Sequence, residues 1–248
     1  MADTSRPDHL PNLRADRQPP HPSWLPRQRR GITPQMIGRY PDFDVLASKA
    51  SWDEATRQVV QARLEPPGPL RFFSTSEEPA LRAFCDIVLA QDAEPRVPVA
   101  EFVDAKLADG QLDGYQYADM PDDRDTWHLV LRGLDEAAQQ RYGKASFAEA
   151  EIPTQLALTD QFSRGRLQGG SWSRLNPTRA WSVCMRMTLS AFYSHPWAWN
   201  EIGFGGPAYP RGFMRLGGPS GPEAVREPFE SRGAIDKDPV ELVQEEDP

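Results

Sequence analysis

The sequence has no run of about 18 apolar residues, so no segment is long and apolar enough to cross a membrane as a helix. It has only two cysteines, Cys85 and Cys184, too far apart in the chain for the paired spacing of a zinc site. Each falls inside an apolar stripe of helical period and reads as a small buried hydrophobe. Its four histidines, His9, His21, His128 and His195, form no H-E-x-x-H pair. A P-loop, a nucleophile elbow and a dinucleotide fingerprint are all missing. The closest approach to the last, Gly203-Phe204-Gly205-Gly206-Pro207, follows an aromatic stretch rather than a strand, and Pro207 removes an amide that would face a phosphate. Sustained alternation of period two is also missing, which excludes a β-sandwich or barrel. A concentrated basic face is not available either: the formal net charge is -8, which argues against a nucleic-acid binder.

Proline, by contrast, is abundant, at 25 of 248 residues. Seven of these fall between Met1 and Pro34, where extended backbone is favoured over helix. Residues 1 to 40 carry seven Arg and three Asp, whereas 217 to 248 carry nine acids against Arg226, Arg232 and Lys237. Both ends are too polar to form a core of their own. The chain therefore divides into a Pro-rich arm (1–50), a short helix and Pro-rich linker (51–69), a helical domain (70–216) and an acidic tail (217–248). Arg29-Arg30 resembles a twin-arginine pair, but Gly31-Ile32-Thr33-Pro34 does not open an apolar export segment, so a cytoplasmic location is expected unless a partner carries the signal.

The apolar residues recur at helical spacing. A first helix is predicted from Ser51 to Leu64, opened by a Ser51-x-x-Glu54 capping box; a second follows Thr75-x-x-Glu78 with Leu81, Phe84, Cys85, Val88 and Leu89 on one face. Further helices are predicted from Val99 to Ala108, from Asp123 to Tyr142 with Gly143 just past its end, and from Thr154 to Phe162. Asn176-Pro177 opens the most apolar of them, Thr178 to Tyr193, expected to lie at the centre and nearly surrounded. The fold is predicted to be all-α, an irregular bundle of about five to seven helices with extended arms.

The segment from Phe192 to Phe213 stands apart. It carries Phe192, Tyr193, His195, Pro196, Trp197, Trp199, Gly203, Phe204, Gly206, Pro207, Tyr209, Pro210 and Phe213 in 22 residues. Pro196 stops the preceding helix, and three glycines before Pro207 open conformations closed to other residues. The aromatics need burial, either as a lid on the bundle or against a partner, where rigid aromatics make binding hot spots. These residues, with Trp24 in the N-terminal arm as an additional anchor, are the candidate partner interface. His128, beside Trp127, reads as a surface or half-buried polar group, and His195 as a ring fixed by a hydrogen bond to a loop carbonyl or turned toward a partner's active-site entrance. No catalytic, cofactor or metal-ligating residue is assigned.

The run Tyr193, Ser194, Pro196 and Trp199, followed by Gly203, Gly206-Pro207, Pro210, Gly212 and Phe213, resembles the gluconate 2-dehydrogenase subunit 3 family. Weaker echoes lie at Phe72-Phe73 with Thr75-Ser76-Glu77-Glu78, at Phe102-Val103-Asp104, and from Tyr142 to Phe147. This resemblance implies a non-catalytic small subunit that stabilises and helps fold a large flavoprotein of the glucose-methanol-choline (GMC) type. That partner would hold FAD, oxidise a sugar or polyol hydroxyl and in some complexes pass electrons to a cytochrome c. Two alternatives stand beside it: an independent enzyme or small-molecule binder with a pocket lined by Trp197, Trp199, Tyr209 and His195, and a transient assembly factor.

Overall fold

The structure, a computed structural model, describes residues 28–29, 35–36, 45–65, 67–91, 96–112, 114–202 and 204–207. Among them are seven α-helices: α1 (Glu54–Ala62), α2 (Glu78–Leu89), α3 (Val99–Ala108), α4 (Asp123–Tyr142), α5 (Ile152–Ser163), α6 (Pro177–Tyr193) and α7 (Pro196–Ile202). Two 3-10 turns, Val45–Ser51 and Gly170–Arg174, and a two-residue antiparallel pair, β1 (Gln28–Arg29) with β2 (Gln35–Met36), complete the described elements. The architecture is the all-α bundle that the periodicity predicts.

Helix boundaries follow local chemistry. Asp122 accepts a hydrogen bond from the Asp125 amide at 2.8 Å to open α4, and Gly143, at φ 65°, closes it in the left-handed conformation that glycine adopts without a Cβ penalty. Asn176 caps α6 through the Arg179 amide, with Pro177 in the first position, where its missing N–H costs nothing. Two predicted caps shift. Ser51 ends a 3-10 turn, so Asp53 takes over as the α1 cap and accepts from the Thr56 amide. The predicted Thr75-x-x-Glu78 box does not form; one residue earlier Glu77 reaches back to Ser74, whose amide and hydroxyl both donate to Glu77 Oε2, at 3.0 and 2.7 Å, which is the carboxylate half of such a box. The error is one residue, because Ser and Thr stand at 74, 75 and 76 and two glutamates follow.

The main core lies among α2, α3, α4, α5 and α6. Phe84 sits at its middle, with ring centroids 6.0 Å from Trp127, 6.2 Å from Phe162 and 6.2 Å from Trp181. Cys85 and Cys184 are free and fully buried there, and burial pushes both thiols up, as expected of small core residues. α6 is less enclosed than its composition predicts. Ser182, Leu189, Ser190 and Tyr193 face solvent, so a strip of this helix remains open.

The connections are held by buried side chains that take over backbone groups. Asp104 of α3 accepts from three consecutive amides, Arg71 at 2.6 Å and Phe72 and Phe73 at 2.9 Å each, and so pins the approach to α2. Gln91 both donates to the Val97 carbonyl and accepts from its amide, closing the α2–α3 loop like a strand pair. Trp172 donates its indole N–H to the Gly133 carbonyl at 3.0 Å; a Cβ on Gly133 would meet that ring at 2.6 Å, so glycine here makes room for the 3-10 turn lying across α4.

Asp104→Ala leaves three amides without their acceptor and is expected to destabilise the fold by about 3 kcal/mol, read as a lower urea midpoint at unchanged m-value. Asp104→Asn presents an NH2 group to one of those amides and should recover only part of the loss.

Candidate functional site

The aromatic segment begins where α6 ends. Ser194 closes the helix, its hydroxyl donating to the Ala191 carbonyl at 2.8 Å, and Pro196 starts α7 two residues later. Helix α7 is absent from the sequence prediction. Proline is excluded from helix interiors but favoured in the first turn, so the residue that ends one helix also begins the next. Trp199 locks the corner by donating its indole N–H to the Tyr193 carbonyl at 2.6 Å.

Among the described residues of this segment, five of the nine candidate interface residues, Phe192, His195, Pro196, Trp199 and Gly206, are covered by the chain itself. Phe192 and Ala198 belong to the main core, and Pro196 is buried. Trp199, only 4% exposed, forms a second core with Val45, Trp52 and Val60, flanked by Leu46 and Phe204. Arg63 lies over the Trp199 ring and donates to the Ser194 carbonyl, and Asn200 accepts the Val45 amide at 2.7 Å. β2 also lies against α7. Gly206 fits where nothing larger would: its φ is +77°, and a Cβ would come within 2.9 Å of Val45 and 3.0 Å of Trp52. Pro207 and Phe204 are half-buried beside it. Trp197 is half-buried and Tyr193 is 45% exposed, next to Leu189 at 37%. Trp24, Gly203, Tyr209, Pro210 and Phe213 lie outside the described residues, as does the acidic tail.

The contacts of α7 that the sequence reading missed are those with Val45, Trp52 and Arg63, and the role of its own Asn200 in accepting the Val45 amide. Trp52 was legible only as a helix residue. Nothing in the spacing ties residue 45 to residue 200.

His195 is fully buried between Phe102 and Trp197. Its Nδ1 accepts from the Trp197 amide at 3.2 Å, which places the proton on Nε2; the ring therefore takes a backbone amide rather than giving to a loop carbonyl. Nε2 has no hydrogen-bond partner among the described residues. Burial holds the imidazole pKa down to about 4. Protonation would both charge a buried ring and displace the Trp197 amide.

A separate polar cleft of about 600 Å3 opens between the start of α2 and one face of α4. His128 there donates Nδ1–H to Glu77 Oε1 at 2.6 Å and stacks on Phe72, with ring centroids 4.6 Å apart. Burial raises the Glu77 carboxyl, but the hydrogen bonds from Ser74 and His128 outweigh it and hold the group below its ordinary range. Asp135 is shifted the other way, raised by burial despite accepting the Phe147 amide at 2.8 Å. Arg132 and Arg174 line the same cleft. Glu77 stands between Ser74 and His128, so the hydroxyl meets a carboxylate and not the imidazole. That order does not make a nucleophile and base pair.

The family model for gluconate 2-dehydrogenase subunit 3 matches residues 75–206, more than half of the chain. This chain belongs to that family. The match runs from the turn before α2 to the Gly206 cradle, so the family region coincides with the main core plus α7. The Tyr193, Ser194, Pro196 and Trp199 motif has a local cause here, since each residue shapes the α6–α7 corner. Among curated proteins, the human "Putative uncharacterized protein LINC02906" is 29% identical over 76 residues, 31% of this chain and 70% of that protein. No solved structure matches.

Two outcomes follow from the α7 region. With a folded pKa near 4 against 6.5 unfolded, His195 costs no stability at neutral pH, and stability falls as the unfolded chain takes up its proton below pH 6.5. The loss should reach about 3 kcal/mol by pH 4, and His195→Gln should remove that part of the pH dependence in urea melts. Gly206→Ala combines left-handed strain with overpacking and should cost about 2 kcal/mol, with a shift in tryptophan emission as Trp52 and Trp199 move.

Proposed function

We propose that this chain is a non-catalytic small subunit that binds, stabilises and supports folding of a large FAD-dependent GMC-type oxidoreductase acting on a sugar, glycoside or polyol hydroxyl. Family membership over residues 75–206 carries this reading. The geometry supports it in two ways. The segment richest in Gly and aromatics is spent on internal architecture, with Gly205 buried and Gly206 closed against Val45 and Trp52 instead of open to a nucleotide. The chain also leaves apolar surface on α6, where the exposed Leu189 and Tyr193 lie one turn apart, with the half-buried Trp197 four residues further along the chain.

In this reading the FAD belongs to the partner, where it would accept a hydride from the carbinol carbon. The residues of this chain contribute surface. Leu189, Tyr193 and Trp197 form the centre of the contact, and Trp24, Tyr209, Pro210 and Phe213 extend it from the two ends of the chain. An electron acceptor such as a cytochrome c would meet the flavoprotein, and the complex would sit in the cytoplasm unless the partner carries an export signal.

Co-expression tests this directly. A flavoprotein encoded beside this chain should be recovered with several-fold more bound FAD and dehydrogenase activity when this chain is present. Leu189→Asp with Trp197→Ala should lower that yield while the small subunit keeps its own helical content. Full flavin loading of the large subunit alone would refute the proposal.

A further inference from the structure

The polar cleft carries an inference beyond the apolar surface on α6. Arg132 on α4 and Arg174 in the 3-10 turn both line it and are exposed, and neither makes a hydrogen bond or ion pair among the described residues. Most arginines of the main domain are engaged: Arg82 with Glu78 and Glu101, Arg96 with Asp86, Arg164 with Asp160, Arg179 with Asp119. Two unengaged guanidiniums facing one cleft are therefore a local departure from the pattern of the molecule. Each offers a planar fork of donors that matches a carboxylate.

We infer that this cleft is a socket for a single acidic side chain presented on a polar loop of a partner protein. The walls discriminate between kinds of anion. Glu77 already accepts from Ser74 and His128, while Asp125 and Asp135 place further carboxylates along the same α4 face. A free polyanion would meet those acids. One carboxylate on an otherwise neutral backbone can reach the two guanidiniums, and its peptide N–H groups can donate to Asp125. His128, held by Glu77 and stacked on Phe72, makes a fixed wall. A cleft of about 600 Å3 accommodates a short loop segment rather than a whole helix. Attributing the loop to the flavoprotein subunit rests on the proposed function; the preference for a carboxylate does not.

The test is an NMR titration of the full chain with a capped heptapeptide of glycine and serine bearing one central glutamate. Saturable shifts of the Arg132 and Arg174 side-chain Nε–H signals are expected, with binding at least tenfold weaker for the peptide carrying glutamine instead. Arg132→Gln with Arg174→Gln should abolish saturable shifts of neighbouring α4 amides and leave the melting temperature unchanged, since neither guanidinium holds the fold. Lys49→Gln with Arg164→Gln changes the net charge equally and should leave binding within twofold. No saturable binding, equal loss in that control pair, or displacement of the peptide by inorganic phosphate at equal concentration would each overturn the socket. Where the chain is recovered only in complex, the readout is copurified flavoprotein: loss in Arg132→Glu with Arg174→Glu but not in Lys49→Glu with Arg164→Glu supports the socket, and equal recovery overturns it. Peptide binding without any gain in partner flavin content would keep the socket and remove the subunit reading, and the reverse pair of results would remove the socket alone.

Discussion

Backbone amides and carbonyls in buried connections must be satisfied, and this constraint shapes the protein more than any single helix does. A bundle whose helices are joined by regular short turns satisfies its backbone locally, but here the joins are irregular and several are covered. Side chains supply the missing partners. Asp104 accepts three amides before α2, Gln91 pairs with Val97 after it, and Asp135 and Gln155 together take the Phe147 amide and the carbonyls of Phe147, Ala148 and Ala150. Glu136 and Trp172 do the same for the 3-10 turn on α4. These groups are polar, they sit in or beside the core, and each fixes a loop that the helices alone would leave undefined.

That division explains what could be read from the sequence. Helices α3, α4 and α6 follow from periodicity, with caps at the predicted residues in α4 and α6, because amphipathic spacing and end chemistry are local. The connections follow from contacts such as Asp104 with Phe73 or Glu136 with Ser171, which lie 31 and 35 residues apart. No local pattern encodes those pairs. Helix α7 was missed for a different reason: Pro196 and the aromatics were read as terminating a helix and exposing a loop, when the same proline also satisfies the first-turn preference of a new one. The fold class was thus legible, and the packing of the site was not.

The aromatic segment shows the consequence for function. Its composition is that of a binding surface, yet Trp199 and Gly206 are spent against Val45 and Trp52, and His195 takes a backbone amide inside the fold. Among the described residues, those that carry the family resemblance in this segment shape a corner: Ser194 closes α6, Pro196 opens α7, Trp199 ties one to the other, and glycine at 206 lets the chain pass.

An internal role and a docking role are compatible once this geometry is taken into account. A surface contributes to affinity in proportion to what it does not have to order on binding. Burial of Trp199 and its hydrogen bond to the Tyr193 carbonyl fix α7 against α6, so the backbone that carries Leu189, Tyr193 and the half-buried Trp197 is ordered before any partner arrives. The cleft over α4 is rigid for a similar reason, because Glu77 is held by Ser74 and His128 is held by Glu77 and Phe72. In the proposed complex the apolar residues of α6 and the polar cleft would divide the work of recognition: burial would supply affinity without direction, and the two guanidiniums would supply direction, since each binds a carboxylate in few orientations.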